Sequence, residues 1–210
     1  MGKLKWIQIV ALISGIACSA AAQKQAGVFA GVNIATMHIT PNEDNSLLTL
    51  PSLGIGGFID YGITENISLS LGMMYLQKGV DVQGDESNFQ IKLAYAQMPV
   101  LFKFAFSDET MGPYLVAGPA FGFIASAKTT FNIDGVPYEI DTKDGLKEFD
   151  FGLDFGGGVD VPVGSNTFFI EARYFHGMMN IENESVNNSS TRNSGFLIFA
   201  GATFSINNDF

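Results

Sequence analysis

Residues 51–80 of this chain read PSLGIGGFIDYGITENISLSLGMMYLQKGV, and this stretch decides the fold. Apolar residues occupy every second position over residues 67–75, and residues 55–61 alternate in the same way. Because side chains on a strand alternate faces with a period of two, each half predicts a strand with one apolar face. Residues 62–66 between them include glycine and asparagine, which tolerate the dihedrals of a tight turn. The stretch therefore predicts a hairpin.

An apolar strand face about ten residues long that ends in tyrosine suits a strand spanning a bilayer. A soluble antiparallel hairpin shows the same alternation, and the N-terminus favours the membrane strand. Residues 1–5 carry two lysines, residues 6–17 are apolar, and residues 20–22 are alanines. These are the parts of a secretory signal peptide, so we predict a signal peptide over residues 1–22 and one exported domain over residues 23–210. Cys18 raises the alternative of a lipoprotein signal, although Gly15 stands where a large aliphatic residue is expected.

The composition agrees with a sheet that has one face in lipid. The chain is 47% hydrophobic and 12% aromatic, contains 24 glycines and has a formal net charge of −10. After residue 22, no stretch approaches the roughly 18 consecutive apolar residues of a membrane helix. The acidic balance argues against nucleic-acid binding, which requires a basic surface. The only cysteine is Cys18, so we expect neither a disulfide nor thiol chemistry in the exported domain.

Eight alternating segments predict an all-β fold, an eight-stranded antiparallel up-and-down transmembrane β-barrel. The segments are the two halves of 51–80 together with residues 27–37, 89–106, 114–127, 149–161, 167–177 and 195–210. Polar connections over residues 38–52, 79–88, 128–147 and 178–193 alternate with short turns, as in outer-membrane barrels. Pro99 lies inside the fourth segment and predicts a local irregularity there.

The face opposite the apolar one collects charged residues. They are Asp60, Lys78, Lys103, Asp154, Asp160, Glu171 and Arg173. A soluble barrel would place apolar residues inside, so we expect the apolar face to contact lipid and the charged face to line the lumen. Since no free edge is allowed in hydrocarbon, the sheet must close. Side chains just fill the interior of an eight-stranded barrel, so a wide pore is disfavoured and we expect Phe58, Phe169 and Phe175 to help fill it.

The inward acids and bases are expected to neutralise one another, because burying unpaired charges is costly. Glu171 and Arg173 are two residues apart and share a face, and we expect Lys103, Asp154 and Asp160 to join them. This predicts a polar packing network that plugs the lumen. The alternative is a polar path for a small ion or solute.

Several motifs resemble the PorT-like family of small outer-membrane β-barrels over essentially the whole exported domain. They are the run over residues 54–79, the sequence YAQMP over 95–99, PYLVAGP over 113–119, FDFG over 149–152, and Arg173-Tyr174 with Gly177. The resemblance implies an eight-stranded barrel in the outer membrane of a Gram-negative envelope, without an assigned activity. The terminal Phe210 is similar to the insertion signal of outer-membrane proteins, although Asn208 interrupts the alternation before it.

Catalysis and metal binding have little support in the sequence. The exported domain contains two histidines, His38 and His176, both expected near the ends of strands. A rim histidine beside a loop carboxylate could act as a base, but we expect a solvated residue, no enzyme and no cofactor. No zinc spacing, P-loop or nucleophile elbow is present. Loop acids such as Asp81, Asp141 and Asp144 leave calcium binding open as an alternative to simple solvation.

Alternation continues inside the third polar connection, at Phe131, Ile133, Val136 and Tyr138. It predicts that two strands extend beyond the membrane and offer an exposed edge for a partner. We therefore expect a non-enzymatic outer-membrane barrel that acts through its outer loops as a surface, interaction or anchoring protein. A narrow transport or secretion-accessory role is the alternative, and an outer-membrane enzyme the third. Expected partners are outer-membrane lipid and other envelope proteins, with the barrel a monomer.

Overall fold

The computed structural model describes residues 24–40, 46–83, 88–106, 112–133, 136–182 and 190–206, which are almost entirely strand. The strands are β1 (Lys24–Thr40), β2 (Ser46–Gly62), β3 (Ile67–Gln83), β4 (Asn88–Ala105), β5 (Gly112–Ile133), β6 (Val136–Asp141), β7 (Phe149–Val163), β8 (Asn166–Gly177) and β9 (Ser190–Ser205), with a 3-10 turn at Lys143–Gly145. No helix in these ranges is long and apolar enough to cross a membrane. The predicted signal peptide, Cys18 and Phe210 lie outside the described residues.

Eight of these strands form a closed antiparallel barrel. The hydrogen-bonded order is β4-β3-β2-β1-β9-β8-β7-β5, and β5 also pairs with β4, which closes the ring. β6 pairs with the end of β5 and lies beyond the ring. A closed ring satisfies the backbone donors and acceptors of every wall strand within the sheet. The predicted eight-stranded antiparallel barrel is therefore confirmed.

The two ends of the barrel differ in their connections. At the turn end, β2 and β3 are joined by residues 63–66, where the Thr64 hydroxyl accepts the Ile67 N–H at 3.0 Å. β7 and β8 are joined there by Gly164 and Ser165, and Gly164 has a φ of 66°, which favours glycine. The first and last wall strands also begin and end at this side. The opposite side, the loop end, carries β6 and the long connection between β8 and β9.

The predicted strand bounds at the loop end are wrong, because the strands run further than expected. β1 continues to Thr40 and β2 begins at Ser46, within the connection predicted over residues 38–52. β3 continues to Gln83, and β9 already begins at Ser190. Polar residues mark the place where a strand leaves lipid, but the backbone ladder continues into water. At the loop end, many of the residues expected to form long connections are therefore strand residues.

The third connection contains the predicted extra hairpin. β5 runs to Ile133, and β6 returns antiparallel to it from Val136, in register with Lys128 opposite Asp141. The two residues between the paired positions, 134 and 135, lie outside the described residues. This β5–β6 segment is the extension hairpin.

Pro99 produces the predicted irregularity. The β3–β4 ladder pairs Leu71 with Val100 and resumes at Met74 with Gln97, so the positions at Pro99 are missing without a change of register. A register shift between β4 and β5 occurs instead at Ala94 and Tyr95. Pro99 is buried in the interior, where its missing N–H needs no partner.

The outer wall carries a continuous belt of apolar side chains. Its most exposed members are Val28, Val32, Leu53, Ile55, Ile59, Leu71, Met73, Tyr75, Phe102, Phe104, Leu115, Phe123, Leu153, Phe155, Ile170, Phe196 and Ile198. They occupy the parity predicted to face lipid on every wall strand. Exposing so much apolar surface to water would be unfavourable, which identifies this apolar belt as the lipid-contacting zone.

The interior is packed with side chains of the opposite parity. The central cluster comprises Phe29, Met74, Leu76, Ala120, Phe169, Phe175, Leu197 and Phe199, with Phe58 against it. A loop-end cluster comprises Met37, Val80, Leu93, Tyr95, Ile124, Ala127 and Ile181, and a turn-end cluster comprises Leu101, Tyr114 and Val116. The expectation that Phe58, Phe169 and Phe175 fill the lumen is confirmed.

Candidate functional site

All seven charged residues singled out from the sequence point into the lumen. Asp60, Lys78, Asp154, Glu171 and Arg173 are buried. The side chains of Lys103 and Asp160 are slightly more accessible, at 16% and 22% exposure. Five of the seven take part in ion pairs, whereas Asp60 and Asp154 form none among the described residues.

The contact nearest the loop end joins Lys78 to Asp150. The Lys78 ammonium donates to Asp150 at 3.2 Å, and the Asn193 amide donates to the same carboxylate at 2.9 Å. Asn193 also donates to the Tyr95 hydroxyl at 3.1 Å. The sequence-based set lacked Asp150, although its inward parity could have found it. It also lacked Asn193, which was assigned to a loop because the start of β9 was placed too late.

Two further ion pairs lie toward the turn end. Arg173 contacts Glu171 on the same strand, and the Tyr114 hydroxyl donates to Glu171 at 2.7 Å. Lys103 donates to Asp160 at 2.7 Å. Tyr114 connects the two pairs, because its ring lies 3.8 Å from the Lys103 ammonium. The sequence-based set missed Tyr114, since a single tyrosine at the start of a strand carries no signal for this role.

Each lumenal cation lies against an aromatic ring as well as a carboxylate. The Lys78 ammonium is 3.6 Å from the centre of the Phe175 ring and 4.6 Å from that of Tyr95. The Arg173 guanidinium is 4.7 Å from the Phe199 ring. Cation–π contact compensates part of the lost hydration of a buried cation. The same aromatic rings that fill the lumen therefore also contact its cations.

Asp60 and Asp154 stand apart from the three ion pairs. Asp60 lies opposite Ser70 in the β2–β3 register, and Asp154 receives only the Gln97 amide, at 3.4 Å. In each carboxyl group the Oδ1 atom is buried and has no hydrogen-bond partner among the described residues. Among the described residues, Asp154 forms no ion pair with Arg173, so the expected network of Asp154 with Glu171 and Arg173 stays a prediction.

Inward side chains pack closely in the central part of the lumen. The void recorded beside Phe29, Met74 and Phe199 amounts to about 10 Å³ and is lined by apolar groups. A space of this size holds one water molecule at most. The lumenal charges thus lie within a packed interior. Together with the aromatic side chains they obstruct the lumen.

Histidine and metal chemistry find no organised site in the described part of the chain. His176 is exposed on the outer face and stacks on Tyr174, with ring centres 6.3 Å apart. His38 is also exposed and lies opposite Arg192 in the β1–β9 register. Within the described ranges, no group of three or more His, Cys, Asp or Glu is placed to hold a metal ion.

The extension hairpin presents an apolar face to water. Val136, Tyr138 and Ile140 share the face that continues the inner wall of the barrel and are 51%, 53% and 50% exposed. Next to them on the same face, Phe131 and Phe89 form a ring contact at 5.9 Å. We call this surface the hairpin face. It continues the inner wall, on the opposite parity from the apolar belt, so lipid does not cover it.

The open edge of β6 is poorly suited to pairing with another strand. The Thr142 N–H donates to the Ala127 carbonyl at 3.1 Å, which identifies that register pair as hydrogen-bonded. Because bonded and non-bonded pairs alternate, the even-numbered residues of β6 direct their backbone groups toward β5. The odd-numbered residues face the open side, and one of them is Pro137, which has no N–H. The exposed edge predicted from the sequence exists, but proline partly blocks it.

Comparison with known proteins agrees with this architecture. The barrel is similar to the crystal structure of the outer membrane protein OprG from Pseudomonas aeruginosa, at a TM-score of 0.55 and 14% identity, covering 89% of this chain and 96% of OprG. Ail of Yersinia pestis matches at a TM-score of 0.45 and 13% identity, over 87% of this chain and 99% of Ail. Neisserial surface protein A matches at a TM-score of 0.45 and 12% identity, over 86% of this chain and 97% of that protein. No curated protein sequence matches the chain.

The family model for the outer membrane protein beta-barrel domain matches residues 21–183, most of the chain. Together with the closed ring and the apolar belt, this match places the protein in the outer membrane, as predicted. Short turns in such barrels lie on the periplasmic side, which assigns the loop end to the cell exterior. The chain belongs to the outer membrane protein beta-barrel domain family.

Proposed function

We propose that the protein is a non-enzymatic surface protein, anchored by its barrel, that binds another envelope protein through the hairpin face. The barrel holds the extension hairpin at a fixed height above the lipid. β5 is shared between the barrel wall and the hairpin, so a partner bound there is connected to the membrane through continuous strand.

One observation carries the proposal, the exposure of Val136, Tyr138 and Ile140 outside the apolar belt. Apolar side chains of this size are half exposed on one short strand, where lipid cannot cover them. A contiguous exposed apolar patch in water is typical of a protein-binding surface. Tyrosine is also enriched among the residues that dominate binding energy in interfaces.

Charge indicates the chemistry of the partner. The opposite side of β6 carries Glu139 and Asp141, and the chain as a whole has a net charge of −10. A partner segment with apolar side chains flanked by lysine or arginine would match both features. Recognition through side chains is favoured over strand addition, because Pro137 removes a backbone donor from the open edge.

The proposal is tested by site-specific photo-cross-linking in living Gram-negative cells. A photoreactive amino acid at Tyr138 is expected to capture a discrete envelope protein whose cross-linked segment contains basic residues. The same group at Asn132, on the opposite face of the hairpin, is the matched control. The double variant Tyr138→Ser with Ile140→Ser is expected to weaken binding of the identified partner by about tenfold or more, since it removes two interface anchors.

The proposal is wrong if positions 138 and 132 capture the same species, or if the double variant binds the partner as the wild type does. Correct folding of the variant is checked by its faster migration on a denaturing gel before boiling. Since the changes lie outside the barrel wall, the heat-dependent shift is expected to remain.

A second candidate is a narrow transport or secretion-accessory role. The observation that favours it is the presence of Asp60 and Asp154 in the lumen without ion-pair partners among the described residues. Conductance in a planar bilayer would support this role, whereas a silent bilayer favours the interaction role.

We further infer that the protein has no catalytic activity and belongs to the PorT-like branch of its family. His176 points outward and stacks on Tyr174, with no ion pair to a carboxylate in the part of the chain that the structure describes, which supports the first inference. The motifs that resemble that branch, among them PYLVAGP over 113–119 and Arg173-Tyr174, support the second. An enzyme assay on phospholipid and peptide substrates, comparing wild type with His176→Ala, would detect an activity that contradicts the first.

A further inference from the structure

The lumen holds more carboxylates than cations. Among the described residues that point inward, five are acids and three are bases. The acids are Asp60, Asp150, Asp154, Asp160 and Glu171, and the bases are Lys78, Lys103 and Arg173. Each base already contacts one carboxylate in an ion pair. The carboxylates of Asp60 and Asp154 are therefore left without a cation of their own.

Of these two, Asp154 lies at the depth of the hydrocarbon. Its neighbours along β7, Leu153 and Phe155, are members of the apolar belt, and Asp154 itself is only 1% exposed. Asp60 lies near the turn end and has the Ser70 hydroxyl as a hydrogen-bond partner. Burying a charge without a counter-charge is costly, and most costly in the middle of a membrane. The need for a positive partner is therefore greater at Asp154.

The bases closest to Asp154 are held by other carboxylates. Arg173 and Lys78 both interact electrostatically with the Asp154 carboxylate. However, Arg173 contacts Glu171 on its own strand, and Lys78 donates to Asp150 at 3.2 Å. Together these groups carry three negative and two positive charges, which leaves one negative charge uncompensated. A single additional positive charge would neutralise them.

Gln97 and Asp154 provide two adjacent oxygen atoms that lack donors. The Gln97 amide nitrogen lies 3.4 Å from the Oδ2 atom of Asp154. The Oε1 atom of Gln97 and the Oδ1 atom of Asp154 are buried, and neither has a hydrogen-bond partner in the part of the chain that the structure describes. β5 runs between their strands and has only Gly118, Ala120 and Gly122 on its inner face there, so no long side chain separates the two groups. Carboxylate and amide oxygens arranged in this way are ligands for a cation.

We propose that the lumen binds one monovalent metal cation, such as Na⁺, between the Asp154 carboxylate and the Gln97 amide oxygen. One positive charge matches the one uncompensated negative charge, whereas Ca²⁺ would need roughly six to eight oxygen ligands. The ion can be enclosed while the barrel closes during folding, so the packed lumen needs no open path. The site lies inside the wall and is separate from the hairpin face, and a resident ion produces no conductance by itself.

The experiment compares Na⁺ with choline, at one pH and one ionic strength. The full exported chain is refolded in lipid vesicles, and the urea midpoint of unfolding is measured as NaCl replaces choline chloride. Choline carries the same charge, but its methyl groups keep the charged nitrogen away from the oxygen ligands. We expect the midpoint to rise with the Na⁺ concentration, because an ion that binds only the folded state stabilises that state.

Three variants locate the site. Asp154→Asn removes the charge and Gln97→Met removes the amide oxygen, and each is expected to abolish the rise of the midpoint with Na⁺. Asp60→Asn is the matched control, since it removes a buried carboxylate elsewhere in the lumen and should keep the rise. The measured quantity is the difference between two salts, so a general change in the stability of a variant does not imitate loss of the ion.

A second measurement shows the ion directly. Crystals grown with RbCl in place of NaCl are expected to give an anomalous-scattering peak between Asp154 and Gln97 in the wild type and no such peak in Asp154→Asn. Equal wild-type midpoints in Na⁺ and choline would overturn the proposal, and would indicate that a proton neutralises the excess charge. An unchanged Na⁺ response in Asp154→Asn or Gln97→Met, or its loss in Asp60→Asn, would overturn it as well.

Discussion

Individual residues in the lumen show how a narrow barrel accommodates charge. Lys78 contacts a carboxylate, an aromatic face and a tyrosine ring, and it is almost fully buried. A buried ion pair adds little stability by itself, but removal of one partner leaves an uncompensated charge. The lumenal residues are thus interdependent, and single and double substitutions should differ sharply.

Lys78→Met is expected to lower the free energy of unfolding by roughly 3–5 kcal/mol, because Asp150 is left buried without its cation. The double variant Lys78→Met with Asp150→Asn should recover most of this loss, since Asn193 can still donate to the new amide oxygen. Reversible urea unfolding in lipid vesicles measures both values. Equal losses in the single and double variants would show that the charge pair is not the origin of the effect.

At Gly118, the backbone of the neighbouring strand β4 lies too close for a side chain. A Cβ atom at this position would lie 2.1 Å from the Val100 carbonyl oxygen and 3.0 Å from the Leu101 Cα atom. Gly118→Ala is therefore expected to destabilise the barrel by about 1–3 kcal/mol through strand displacement. Gly145→Ala is the control, because a Cβ there has no neighbour within 4 Å. Urea unfolding measures the free energy of unfolding of both variants. Similar values for Gly118→Ala and Gly145→Ala would contradict the expected clash.

At the scale of elements, the extension hairpin joins a membrane strand to a water-exposed one. β5 is the longest strand, with 22 residues; it pairs with β4 from Tyr114 to Phe131 and adds β6 on its other side from Lys128 onward. β6 is exposed at every position. Such an edge invites pairing with a second molecule unless it is protected, and proline and charged side chains are the usual protection. Pro137 and the two acids of β6 occupy the open side of the edge.

Pro137→Thr is expected to increase self-association, because it restores a backbone donor on the open edge and raises strand propensity. Sedimentation velocity of the detergent-solubilised protein should then detect dimers or larger species in the variant and a monomer in the wild type. Glu139→Gln serves as the control, since it removes a charge without adding a backbone donor. A variant that remains as monomeric as the wild type would mean that proline does not protect this edge.

The molecule as a whole is a closed wall around a filled interior. The central and loop-end clusters occupy the lumen, and the buried charged residues pack among their side chains. An eight-stranded ring has room for little more than its own side chains. The filled interior separates this protein from diffusion pores.

In a planar bilayer, the purified barrel is expected to give no conductance steps above the baseline, because the clusters of inward side chains pack across the lumen. A wide outer-membrane porin, recorded under the same conditions, is the positive control. Insertion is verified independently by the faster migration of unboiled protein on a denaturing gel, which reports the closed wall. Regular conductance steps from correctly folded protein would contradict the closed interior and favour the transport candidate.

The sequence alone determined which residues face lipid and which face the lumen. The period-two alternation over residues 51–80 settles this locally, since a strand sends neighbouring side chains to opposite faces whatever surrounds it. The same reasoning led to the inward positions of Asp60, Glu171 and Arg173. These properties depend on short stretches of backbone, so they can be obtained without knowledge of other strands.

Only the tertiary structure decided which inward residues meet and where the strands end. Lys78 finds Asp150 because the register between distant strands places them at the same height, and no local pattern encodes that register. Strand ends depend on pairing with a neighbour, which continues in water after the apolar signal has stopped. For the same reason, the orientation of Pro137 toward the open edge follows from hydrogen bonds between β5 and β6, which their residue types alone do not reveal.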